Sequence, residues 1–217
     1  MMKKQNSWFV FDFGGVLTIP IKKAVRSLCS YLSVKPEQLS MIFDLFNGEN
    51  SPLHELERGR ITEYEFQQQI AAGFPEPTAT LLLTKPFHEI WFSCLRAEQR
   101  SLAMVNECAQ RGVNLALFTN NVIEWRPQWV KMVDLEQFDV VIDSCLVGTR
   151  KPELEIYEIL KDRLSCEYDD MLLIDDSPEN IEMAVSLRMN TILWNDADTS
   201  LPQLRDLLGR ATAADQQ

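Results

Sequence analysis

The residues able to do chemistry fall in four clusters. Asp12 follows Trp-Phe-Val-Phe and precedes Phe13-Gly14-Gly15; Thr119-Asn120-Asn121 closes a second apolar run; Arg150-Lys151-Pro152 stands ahead of a helical pattern; Asp175-Asp176-Ser177 ends a further run. In order they supply a carboxylate, a hydroxyl, an ammonium and a carboxylate pair. Like charges within a few Å disfavour joint ionisation, so three carboxylates gathered in one place call for a cation. A hard divalent ion with oxygen ligands, Mg²⁺, would relieve the repulsion and also recruit a phosphate.

Such clusters act together only if the fold gathers them, and the pattern of apolar runs says how. Trp8–Phe13, Val113–Thr119, Val140–Asp143, Met171–Asp175 and Thr191–Trp194 are runs of strand length, apolar over most of their length rather than alternating, as in strands of a parallel sheet buried on both faces. Helical patterns separate them. Leu102, Val105 and Ala109 run to a stop at Gly112; Pro152 opens a segment with Leu154, Tyr157, Leu160 and Leu164 on one face; Ser177 and Pro178 make an N-cap and first turn ahead of Ile181, Ala184 and Val185. Strand alternating with helix predicts a doubly wound α/β core, whose ligands bind at the carboxyl ends of the strands. Residues 20–95 break the scheme, with amphipathic helices expected at Ile21–Leu32, Pro36–Phe46 and Thr62–Ala72 and no strand. The expected organisation is a core formed by 1–19 and 96–217, with an all-helical cap, 20–95, inserted after the first strand.

Composition narrows the partners. Among 217 residues, 21 Lys+Arg against 32 Asp+Glu leave a net charge of −11, which repels nucleic acid and anionic lipid surfaces. No apolar run reaches membrane-spanning length, and MMKKQNSW lacks the apolar stretch of a secretory signal. The five cysteines are scattered, with no CxxC pair. A protein of the cytoplasm with reduced thiols is expected; nothing indicates its oligomeric state.

DFGGVLT, LFTNN, RKP and IDDSPEN, in that order and at these spacings, resemble the four motifs of the haloacid dehalogenase (HAD) superfamily. The stretches FDVVIDSCLVGTRKPELEIYEIL and MLLIDDSPENIEMAVSLRMNTIL are particularly similar to the amino-terminal phosphatase domain of soluble epoxide hydrolases and to bacterial sugar-phosphate phosphatases. HELERGRIT, residues 54–62, adds a local likeness in the cap. The resemblance implies a Rossmann-like core and a Mg²⁺-dependent hydrolase acting on a small phosphorylated metabolite through an aspartyl-phosphate intermediate. It implies Asp12 as nucleophile and metal ligand, the Gly14 carbonyl as a second ligand, and Asp176 as the main ligand of the acidic pair. Asp175 would bond Lys151 or a metal-bound water, Thr119 and the Asn120 amide would hold the phosphoryl group, and Lys151 would neutralise it. A carboxylate attacks a phosphate dianion only when positive groups cancel the repulsion, so the physics agrees.

One position departs from the family. HAD phosphatases usually carry a second Asp two residues after the nucleophile, to protonate the leaving alcohol and later activate water; this chain has Gly14. His54 and His88, both in the cap, are the candidates to replace that acid, His54 as a substrate contact; the alternative for both is an ordinary surface or packing role. Trp91, Trp125 and Trp129 either line the pocket or pack the junction. Two other functions stay open: a metal-independent 2-haloacid dehalogenase, against which the Asp175-Asp176 pair argues, and a regulatory or binding module in which Gly14 has ended turnover.

Overall fold

The computed structural model describes residues 7–48 and 51–213; the ends of the expected core, 1–6 and 214–217, lie outside the described residues. Its centre is a parallel sheet of β1 (Trp8–Phe11), β2 (Asn114–Thr119), β3 (Val140–Asp143), β4 (Met171–Asp175) and β5 (Asn190–Leu193), in the order β3-β2-β1-β4-β5. Between β1 and β2 come α1 (Ile21–Tyr31), α2 (Leu39–Asn47), α3 (Pro52–Glu57), α4 (Glu63–Gly73), α5 (Thr78–Leu82), α6 (Phe87–Cys94) and α7 (Gln99–Gln110). The later connections carry α8 (Arg126–Trp129), α9 (Ser144–Val147), α10 (Leu154–Leu164) and α11 (Pro178–Ser186), and α12 (Ala197–Ala213) follows β5. The α/β class and parallel doubly wound sheet are as expected.

Successive strand residues face opposite sides of a sheet, and the core divides accordingly. Phe9, Phe11, Leu115, Leu117, Leu172 and Ile174 join one buried cluster with α7, α12 and the helical insert. Val10, Ala116, Phe118, Met171 and Leu173 join the other with α10 and α11. Apolar residues are thus needed at successive positions of the central strands β1, β2 and β4, which is why these read as continuous runs, whereas the edge strand β5 is largely exposed. Register then sets the site: Phe11 pairs with Leu117 on one side and Ile174 on the other, and the Asp12 amide donates to the Ile174 carbonyl at 2.9 Å. Asp12 is therefore brought beside Asp175.

The insert enters and leaves through an antiparallel bridge between Thr18 and Ala97, closed by Ile19 N–H to the Arg96 carbonyl and Glu98 N–H to the Leu17 carbonyl, each 2.9 Å. Helix ends differ from expectation for local reasons. Thr62 is a cap rather than a first helical residue: its hydroxyl accepts from the Glu65 amide while the Glu65 carboxylate accepts from the Thr62 amide. A 3₁₀ turn, Pro36–Gln38, precedes α2 where one helix was expected. Ser51 is the N-cap of α3 and Pro52 its first residue. Pro152 lies before α10, which Glu153 caps; Leu154 is exposed and Ile156 takes its place on the buried face. Among the described residues no helix is long and apolar enough to cross a membrane.

Candidate active site

Lys151 is the hub. Its side chain is 1% exposed, and Nζ donates to Asp12 Oδ1 at 2.8 Å, the Phe118 carbonyl at 2.8 Å and Asp175 Oδ2 at 2.6 Å. Those three acceptors match the three protons of an ammonium. Burial opposes the charge, but Asp12 and Asp175 outweigh it and hold the lysine above its ordinary pKa. The loop carrying it is pinned to the end of β2: Asn120 Nδ2 donates to the Lys151 carbonyl at 2.9 Å, and the Lys151 amide donates to Asn120 Oδ1 at 2.8 Å.

The two acids of the pair have different surroundings. Asp175 is fully buried; Oδ1 accepts from the Ser177 amide and Asn180 Nδ2, both at 2.9 Å, while Oδ2 faces Lys151. Asp176 is less buried, and Asp12, Asp175 and Asp176 each offer an oxygen within 4.8 Å of the others. Burial, with Asp175 as the repelling neighbour and Lys151 opposing, pushes Asp12 up to about 7. Burial and the two neighbouring acids push Asp176 up to about 8. Two carboxylates held so far above their ordinary 3.8 have the donor set and the unrelieved repulsion of a divalent-cation site. Gly15 makes room for the arrangement: its φ is +76°, and a Cβ there would fall 2.0 Å from Asp176 Oδ2.

The four clusters therefore come together, Thr119 with them at the end of β2, buried, its hydroxyl directed to the Asn120 carbonyl at 3.3 Å. Gly14 lies in the turn after β1, where a Cβ would stand 3.8 Å from Asp12 Oδ2 and 3.4 Å from Ile21 Cδ1. His54 sits on α3, partly buried. The tryptophans pack: Trp125 meets Phe87, Trp91 and Phe92, and Trp129 meets Phe13. Sequence reasoning did not identify Asn180 as the partner of Asp175 or Gly15 as the space for Asp176. The signal for Asn180 was an amide side chain one turn into the helix that follows the acidic strand end.

A doubly wound sheet with a buried lysine between strand-end carboxylates defines a class of α/β hydrolytic enzyme, and a family profile agrees. The haloacid dehalogenase-like hydrolase family matches residues 7–187, and the chain belongs to that family. It is 26% identical over 220 residues to bifunctional epoxide hydrolase 2 of Rattus norvegicus, covering 92% of this chain and 38% of the relative. It is 25% identical over 209 residues to the sesquiterpene phosphatase astK of Aspergillus oryzae, covering 92% and 95%. The chain spans 19% of the length of acyl-CoA dehydrogenase family member 10 of Mus musculus and 38% of that of the rat epoxide hydrolase. Among solved structures, a HAD family enzyme from Bacteroides thetaiotaomicron in complex with magnesium and inorganic phosphate superposes with a TM-score of 0.62 at 20% identity, covering 86% of this chain and 92% of that one.

Proposed function

We propose that this protein is a Mg²⁺-dependent phosphatase that transfers the phosphoryl group of a small phosphomonoester to Asp12 and then to water. The observation that carries the proposal is the Asp12–Lys151–Asp175 chain beside Asp176. Lys151 binds one oxygen of Asp12 and fixes the direction of the carboxylate, while Asp175, anchored by Asn180 and the Ser177 amide, fixes Lys151. Asp12 and Asp176, with the Gly14 carbonyl, are the residues to hold Mg²⁺; Asp175, engaged on both oxygens, orients Lys151 instead. Bound there, the ion would draw charge from the phosphoryl oxygens and lower the cost of bringing a dianion to a carboxylate. Thr119 and the Asn120 amide hold the transferring group, and Lys151 offsets the charge that develops on it.

The residues 1–19 and 96–217 form the catalytic core in this proposal, and 20–95 a cap that covers the leaving group and excludes water. Support comes from the bridge at Thr18 and Ala97, where the insert is joined to the core, and from relatives that include a phosphatase. The test is hydrolysis of 4-nitrophenyl phosphate by the purified protein. Turnover should need Mg²⁺, stop with chelator, and vanish in Asp12→Asn, which removes the nucleophilic charge but little volume. Hydrolysis that persists in chelator or in Asp12→Asn would overturn the proposal.

A further inference from the structure

The turn joining α3 to α4, Glu57 to Glu63, lies within the helical insert, yet it is bonded to both loops that carry the catalytic groups. On one side, Arg150 Nε donates to Glu57 Oε2 at 2.6 Å and Arg58 Nε donates to Glu153 Oε1 at 2.8 Å. The other Glu153 oxygen accepts from the Thr149 hydroxyl at 2.7 Å and from the Arg150 amide at 3.3 Å. The segment 149–153 that holds Lys151 is thus gripped by two ion pairs of opposite sense. Their side chains are largely buried: 13% and 14% exposed for Glu57 and Arg150, 17% and 32% for Arg58 and Glu153.

On the other side, the Ser144 hydroxyl donates to the Glu57 carbonyl at 2.6 Å and accepts from the Asn121 amide at 2.9 Å. Trp125 Nε1 donates to Glu63 Oε1 at 2.8 Å, and the Glu63 amide donates to Glu124 Oε1 at 3.0 Å. Between these anchors Gly59, at φ +68°, lies so close to the core that a Cβ would stand 2.9 Å from the Cys145 carbonyl oxygen. A surface connection between two helices would need none of this. Burying charged groups is costly unless they are paired, so the loop and the turn hold each other in place.

We propose that Glu57 and Arg58 are positioning residues: they fix the loop Thr149–Lys151 and thereby aim the Lys151 ammonium at Asp12, so that docking of the insert and assembly of the catalytic centre are one event. This rests on the phosphatase function proposed above. It adds that the insert governs the chemical step itself, beyond enclosing the substrate.

The test uses the whole chain with 4-nitrophenyl phosphate and Mg²⁺, each variant assayed well below its own melting temperature. Glu57→Gln and Arg58→Gln should lower kcat about 10- to 100-fold with KM little changed, as expected when a reacting group is displaced rather than substrate lost. The reversed pair Glu57→Arg with Arg150→Glu should regain part of that kcat. Hydrogen exchange of the Thr149 and Lys151 amides should quicken in Glu57→Gln, while amides of β4 keep their protection. Gln67→Ala is the control. Gln67 bonds the Leu82 and Lys85 carbonyls inside the insert, so its loss should lower stability and leave kcat intact.

A kcat within about twofold of wild type in both charge variants, or an equal loss of kcat in Gln67→Ala, would overturn the proposal. Hydrolysis surviving in Asp12→Asn would overturn the phosphatase function instead. The positioning role would then be decided by exchange of the loop amides, which needs no turnover: acceleration supports it, and unchanged protection overturns it.

Discussion

At the scale of single residues, the site is an arrangement of charges that oppose burial. Lys151 lies between two carboxylates, and removing one partner of a buried pair typically costs ~3–5 kcal/mol because a bare charge is left behind. In the proposed phosphatase reaction, the position where the chemistry lacks a group is Gly14. A departing alkoxide needs a proton, and the nearest atoms to a Cβ at residue 14 are two carbons of Ile21 and Asp12 Oδ2. Its φ is outside the left-handed region, and 3.4 Å to Ile21 Cδ1 is an ordinary contact, so the turn accepts a side chain. Wild-type rates should therefore climb steeply as the leaving group becomes a better anion, from alkyl to anomeric to aryl phosphates. In Gly14→Asp the new carboxyl lies against Asp12, which favours its protonated form. It should help alkyl esters most, with a gain bounded by the ~10²–10⁴ typical of general acid catalysis. The measurement is the slope of log kcat/KM against leaving-group pKa in both proteins, and equal slopes would show that no acid is missing.

At the scale of elements, Gly59 reports how tightly the α3–α4 turn is seated. Left-handed backbone costs a residue with a Cβ about 1–2 kcal/mol, and the approach to the Cys145 carbonyl adds a clash that only a shift of backbone relieves. Gly59→Ala should lower stability by more than the backbone cost alone, read as the urea midpoint. Gly59→Asn should recover little, although Asn tolerates left-handed backbone, because the clash involves Cβ. Recovery in Asn would place the strain in φ and not in the seating. This turn also marks where the sequence stops being informative. Strands and their terminal acids were legible because burial on both faces demands unbroken apolar runs, and chain direction alone delivers Asp12, Thr119 and Asp175 to one edge. Glu57 pairs with a residue 93 positions away, and no local periodicity reports such a partner. Helices α3, α5 and α6 have eight residues or fewer and each starts at or just after a proline, too short for an apolar period to stand out. Asn120 was expected to offer its backbone amide to phosphate; that its side chain also bridges to Lys151 depends on two loops meeting in space.

For the whole molecule, a net charge of −11 includes a centre whose three carboxylates, Asp12, Asp175 and Asp176, outnumber its one lysine by two, which ties stability to pH and, in the proposed function, to metal. Asp12 and Asp176 titrate near 7 and 8 in the folded protein and near 3.8 when unfolded. Between those values the folded state binds protons that the unfolded state has lost, so stability falls as pH rises. The contribution is fully present below about pH 4 and is gone once pH has passed both folded values. In chelator the melting temperature should therefore decline from pH 5 to pH 8.5. In the proposed function Mg²⁺ would have to displace those protons, so its effect should run the other way with pH. At pH 8, Mg²⁺ at about 100 times its Kd adds roughly 2.7 kcal/mol, about 5–10 °C for a chain of this size; at pH 5.5 the same concentration should add little. Self-repulsion of a −11 chain also grows with pH, and Asp176→Asn separates the two effects. It removes one local proton site and one ligand while changing the overall charge by a single unit, so the chelator profile should flatten and the Mg²⁺ shift at pH 8 should shrink. Equal Mg²⁺ shifts at both pH values, or an unchanged profile in Asp176→Asn, would place the pH dependence in the general charge of the surface.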